Sequence, residues 1–198
     1  MMPVVNVSSV LVYKGGYLVK LRNLILTALF AALTAVGAFI RIPFAFSSIT
    51  LQFFFTAMAG ILLGARYGAA SQAVYVLLGL VGLPIFTLGG GFGYVLQPTF
   101  GFLVGLIPCA WLIGFMSRKN GSFWWLCLSC LAGLGVLYLV GMPYMAVILN
   151  GYRGTGMNLW SLLMAGMLPF LPGDMLKIAV TALLCRRLRP ALSRYLPQ

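Results

Sequence analysis

Acidic residues are almost missing from this 198-residue sequence: Asp174 is the only one, set against thirteen lysines and arginines, and histidine does not occur. Charged residues make up 7% of the chain, where a water-soluble domain carries roughly 25%. So few charges cannot furnish a water-facing surface. A 62% hydrophobic content also excludes a disordered chain of low hydrophobicity. With no histidine and one acid, the sequence offers no convincing nucleophile–base set, which argues against a membrane enzyme. Cysteine is sparse too, at four residues. Cys127-Leu-Ser-Cys130 has CxxC spacing, but a zinc site needs about four nitrogen or sulfur ligands. With no second pair, these cysteines read as small packing residues, and no metal site is expected. The net charge of +12 is spread singly or in small groups between apolar runs. That is the pattern of membrane-protein loops, and no nucleic-acid-binding motif accompanies it.

What remains is a chain whose solvent is lipid. Charge-free stretches place the first span at 23–40, ending at Arg41. The second has its core at 51–64, and the uncharged stretch 67–117 holds two more, at 67–83 and 99–116. Between those two, 84–98 is too rich in glycine to be helical. The fifth span covers 123–148, with a kink expected at Gly141 and Pro143. The sixth, 159–185, is interrupted at Pro169 and at Pro172-Gly173. Its first part, 159–171, makes roughly 20 Å of helix at 1.5 Å per residue. That is short for a hydrocarbon core of about 30 Å, so 159–185 reads as one broken span. Freed backbone groups at such a break are tolerated only when buried in protein or lining a cavity. A cavity is therefore expected near 169–174.

Six spans put both termini on one side of the membrane. That side then holds ten of the thirteen basic residues, and the other holds only Arg41 and Arg153. By the positive-inside rule both termini are cytoplasmic. The glycine-rich segment 84–98 then faces outward. Met1 to Val19 has its positive charges after its apolar part, the reverse of a signal peptide. The expected fold is an all-α integral membrane protein with six transmembrane helices and a last span broken by Pro-Gly. Its divisions are a cytosolic tail at 1–20, a membrane domain at 21–190 and a second cytosolic tail at 191–198.

The chemistry concentrates where the charges are most costly. Asp174 and Lys177 lie three residues apart, on one helical face. Twelve residues of helix, roughly 18 Å, separate Asp174 from the cytoplasmic Arg186. An ionisable residue at such depth costs about 2.5–3.5 kcal/mol on insertion scales. The two either neutralise each other as a structural pair or form a ligand site. Pro172-Gly173 is expected to open a new half-helix with Asp174 at its cap. Transporters place binding groups at such broken-helix ends. A carboxylate accepts from N–H groups and an ammonium donates to a carbonyl, so a urea-like or amide-like solute would satisfy both.

A second constellation is Thr87-Leu-Gly-Gly-Gly-Phe-Gly-Tyr94. Its glycines let backbone approach a ligand closely, with N–H groups able to hold an anion; otherwise it is a flexible connector. Arg41 either binds a solute carboxylate or snorkels to head groups. Gln52 is either a ligand contact or an interhelical hydrogen bond. Ala28, Ala31, Ala32 and Ala35 give the first span a small-residue face, suited to close helix packing inside the protein or against another membrane protein.

Several stretches together resemble the BioY family, the biotin-binding substrate-capture subunits (S components) of energy-coupling-factor (ECF) transporters. They are Leu51-Gln52, Leu63-Gly-Ala-Arg-Tyr-Gly68, Gly79-Leu-Val-Gly-Leu-Pro84, the glycine segment through Pro98 and Gly101, and Leu171-Pro-Gly-Asp-Met-Leu-Lys177. The resemblance implies six helices, residence in the bacterial inner (plasma) membrane and capture of biotin from outside, with no cofactor. It implies that Asp174 and Lys177 contact the ureido ring. It leaves Gln52, Arg41, Thr87, Gly90, Gly91 and Tyr94 for the remainder of the ligand. It also implies that the alanine face docks a transmembrane coupling subunit working with two ATPases, since no ATP motif is present here. The chain departs from the family pattern at Gly90, where relatives often carry Asn, and at Phe100-Gly-Phe102, where many read Gly-Gly-Tyr. The competing expectations are a self-sufficient facilitator and an S component for another vitamin.

Overall fold

The computed structural model describes the backbone of residues 7–44 and 47–192 and the side chains of residues 21–41 and 49–191. Among the described residues six α-helices follow one another: α1 (Val7–Phe39), α2 (Gln52–Leu80), α3 (Phe100–Ser117), α4 (Phe123–Ala146), α5 (Leu159–Gly166) and α6 (Leu171–Leu192). Between α1 and α2 an antiparallel hairpin pairs β1 (Arg41–Phe44) with β2 (Ser47–Thr50). The sequence reading contained no strands. The hairpin is tied to α1 where the Leu51 N–H donates to the Gly37 carbonyl at 3.0 Å.

Among the described residues, four helical stretches are long and apolar enough to cross a membrane: Leu21–Phe39, Gln52–Leu80, Phe100–Ser117 and Phe123–Tyr152. The pair Leu159–Gly166 and Leu171–Ala191, bent by 42°, makes a fifth if taken as one broken span. Outward-facing residues such as Leu24, Leu77, Leu139 and Leu176 are large, apolar and exposed, as lipid contact requires.

The stretch expected to form the second and third spans is one helical run, α2, reversed at Gly64. That residue has φ 77° and ψ −179°, a conformation open essentially to glycine alone. The two arms on either side lie against each other. Gln52 Nε2 donates to Tyr75 Oη at 2.8 Å, and Thr56 Oγ1 donates to Gln72 Oε1 at 2.9 Å. In a straight helix residues 52 and 75 would lie roughly 35 Å apart, so α2 is a helical hairpin. Gln72, fully buried, also donates to Thr34 Oγ1 on α1 at 3.2 Å and to Ser71 Oγ at 3.0 Å. This satisfied polar cluster joins α1 to both arms, while α2 packs on α3 and α3 on α4.

Other boundaries differ from expectation. Helix α1 begins at Val7, upstream of the predicted 23. The terminal side chains, including Arg194, lie outside the described residues. Gly141 and Pro143 sit within α4, which then widens into a π-helical turn, Val147–Tyr152. Segment 84–98 contains a 3-10 turn, Phe92–Leu96. The break in the last hydrophobic region falls at 167–170, around Pro169, and not at Pro172-Gly173. Those two residues occupy the first turn of α6, where a proline's missing N–H has no intrahelical partner to lose.

Candidate functional site

Helices α2, α3, α4 and α6, with β2 and the glycine-rich segment, surround a cavity of about 100 Å³. On a measure by which one water takes roughly 10–15 Å³, it has room for several. Asp174 and Lys177 line it. Asp174 stands in the first turn of α6, inside the helix and not at the expected cap position. The break lies further upstream, and the Asp174 N–H already donates to the Phe170 carbonyl at 2.9 Å. A carboxylate in a first turn is still favoured by the positive end of the helix. Lys177, one turn on, meets it: Nζ lies 2.8 Å from Oδ1, with side chains only 11% (Lys177) and 7% (Asp174) exposed. Tyr138 of α4 donates its hydroxyl to the other oxygen, Oδ2, at 2.7 Å. The ion pair therefore borders an open space, and an ionised carboxylate has about four lone-pair sites. Acceptor capacity on Asp174 and donors on Lys177 are left over for a guest.

The far wall is polar by a different route. Gln52 and Thr50 line the cavity together with Thr87, Tyr94 and Thr99. Gln52 is held by its bond to Tyr75 and by Thr50 Oγ1, which donates to Gln52 Oε1 at 3.0 Å. It thus combines the interhelical hydrogen bond and the cavity position that its sequence left as alternatives. Thr87 Oγ1 and Tyr94 Oη share a hydrogen bond of 2.8 Å. Between the polar ends Phe53, Phe102, Leu103, Leu106, Leu137 and Phe170 give an apolar lining. The arrangement suits a solute with N–H and C=O groups at one end, an apolar middle and a second polar group.

Of the residues proposed from sequence, Asp174, Lys177, Gln52, Thr87 and Tyr94 come together on this cavity. Arg41, Gly90 and Gly91 do not line it. Arg41 is exposed and donates to the Thr87 carbonyl. Gly90 is pressed onto the end of α2 and the residues just after it: a Cβ there would collide with the Leu83 carbonyl and lie 3.0 Å from the Gly79 carbonyl oxygen. The Gly91 N–H is spent on the Gly79 carbonyl at 2.7 Å. These glycines seat the segment on α2, and the Gly91 N–H is already taken by backbone. On α1, Ala28 and Ala32 are exposed, Ala35 is half-buried and Ala31 is buried in the core. Ala31 therefore does not share an outward docking face with Ala28 and Ala32, because it sits at the edge of the stripe next to the buried Thr27, Thr34 and Ala38.

A sequence profile described as the BioY family matches residues 8–194. The chain belongs to the BioY family. A "Probable biotin transporter BioY" of Lysinibacillus sphaericus is 43% identical over 171 residues, covering 84% of this chain and 86% of that protein. A "Biotin transporter BioY" of Thermotoga maritima is 39% identical, covering 85% and 96%. A crystal structure of the S-component for biotin from an ECF-type ABC transporter superposes with a TM-score of 0.74 at 30% identity, covering 86% of this chain and 92% of that one. The BioY match spans every residue of the cavity.

Sequence reasoning missed Tyr138, Thr50, Thr99 and the apolar lining of this BioY cavity. Tyr138 did carry a signal. A phenol hydroxyl in the middle of an apolar span needs a partner, and Asp174 is the strongest acceptor in the chain. Phe102 and Phe170 carried none, since aromatics in spans are ordinarily packing.

Proposed function

We propose that this chain captures biotin in the cavity and serves as the substrate-binding S component of an ECF-type transporter. One observation carries the reading: a buried ion pair, with one more hydrogen-bond donor on its carboxylate, borders an open cavity instead of being sealed. The ureido N–H groups would donate to Asp174, and the ureido carbonyl would accept from Lys177. The fused rings would lie against Phe102, Leu103, Leu137 and Phe170. The tail carboxylate would reach Thr50, Gln52, Thr87 or Tyr94. The printed names of the relatives and of the matching crystal structure support the choice of biotin over other urea-like solutes.

The same reading takes α2 as two spans. With α1, α3, α4 and the bent α5–α6 pair, six spans then cross a bacterial plasma membrane, with both termini in the cytoplasm. The antiparallel arms of α2 and the positive-inside count support it. The divisions 1–20, 21–190 and 191–198 belong to this reading. A transmembrane coupling subunit docking at Ala28 and Ala32, and two ATPases, would supply the energy. Calorimetric titration of the purified protein with biotin tests the proposal. Tight binding is expected, with affinity at least roughly tenfold weaker in Asp174→Asn and in Lys177→Ala, since hydrogen bonds to charged groups are worth about 1.5–3 kcal/mol. Affinity left intact by both changes refutes it.

A further inference from the structure

The geometry points to Arg41 and Arg153 as positioning residues that pin the segment 84–98 against the cavity from its two ends, and so set how fast a solute enters and leaves. They are the two basic residues that the charge pattern assigns to the outer face, and both are exposed. Neither lines the cavity. Each reaches instead from a separate part of the fold to the same segment. Arg41, on β1, donates to the Thr87 carbonyl. Arg153, just after the π-helical turn, donates from Nη2 to Gln97 Oε1 at 3.1 Å.

The two anchor points flank the residues that matter to the site. Thr87 is joined to Tyr94 through their hydroxyls, and both face the cavity. The Gln97 N–H donates to the Tyr94 carbonyl at 2.9 Å. Arg41 thus fixes the near end of the Thr87–Tyr94 wall, and Arg153 fixes the far end through Gln97. The hairpin bearing Arg41 also carries Thr50 into the cavity, so this bond closes a gap between two lining elements. Without the guanidinium donors the segment keeps its seat on α2 through Gly91 and the buried Phe86. Local opening of the wall then becomes more frequent while the helical core is untouched. Association and dissociation should both accelerate, and affinity should move less than either rate.

The test uses the full chain purified in detergent, as wild type, Arg41→Gln, Arg153→Gln, the double variant and Arg41→Lys. Amide hydrogen exchange without ligand should quicken across 88–96 by roughly three- to tenfold in each single Gln variant, the range expected for one or two exposed charge-assisted bonds. It should quicken further in the double variant and recover in Arg41→Lys, which keeps one donor. A biotin-chase measurement, which rests on the biotin reading, should show both rates raised by a similar factor. Exchange in the double variant that is unchanged at 88–96, or faster in all helices alike, overturns the proposal. So do unchanged chase rates in a double variant whose wild type binds biotin. A wild type that fails to bind biotin counts against the biotin reading alone and leaves the exchange result to decide the role of the arginines.

Discussion

Replacing both members of the buried pair separates what Asp174 and Lys177 do for folding from what they do for the solute. Breaking a buried ion pair by removing one partner costs about 3–5 kcal/mol, because the other charge is left uncompensated. The side chains here are 11% and 7% exposed and border a cavity, so the lower end, about 3 kcal/mol, applies. At about 2–4 °C per kcal/mol for a chain of this length, Asp174→Asn and Lys177→Met should each lower Tm by about 6–12 °C. The double variant removes both charges and keeps the shape, so it should recover to within a few degrees of wild type. Biotin at a thousandfold excess over Kd stabilises by about 4 kcal/mol, which should raise the wild-type Tm by about 8–16 °C. The double variant should show none of that rise. A thermal-unfolding series on the four proteins, with and without biotin, gives all these values. A double variant that still responds fully to biotin would sink the ligand-site argument. Single variants no less stable than the double would sink the burial argument.

Gly64→Ala should cost about 1–3 kcal/mol through backbone strain alone, because nothing lies within 4 Å of the added Cβ; thermal unfolding should show the loss with biotin affinity retained. Gln72→Leu strips the acceptor from the buried Thr56 hydroxyl and should destabilise by about 1–3 kcal/mol. Adding Thr56→Val should return part of that. Ala32→Trp, on the exposed side of α1, should leave biotin titrations unchanged while cells carrying the ATPases and coupling subunit lose most of their uptake. Equal loss of both would show that the residue packs inside the protein.

The parts of this protein that were readable from sequence are those where a residue is expensive in its surroundings. Asp174 and Lys177 stand out because charge in an apolar run demands compensation, and they do lie on the cavity. The chain reversal was readable in outline because Arg66 interrupts two apolar runs, although the residue that makes the turn, Gly64, is identified by its φ and not by its neighbours. Where several side chains satisfy the same physical need, the sequence did not decide. A helix apolar on every side has no periodicity to separate the face that lines a cavity from the face in lipid. Phe102, Leu137 and Phe170 were therefore indistinguishable from packing residues. The glycine-rich segment was left with two readings for a related reason. Glycine serves equally a backbone that must bind an anion and a backbone that must lie flat on another, and Gly90 and Gly91 do the second. Arg41 follows the same logic: a guanidinium beside a binding site satisfies a carbonyl as readily as a carboxylate, and here the Thr87 carbonyl is the acceptor within reach. The polar groups that line the cavity as expected are those whose burial left one way of being satisfied, and those that lie off it had a backbone partner as well as a ligand to choose from.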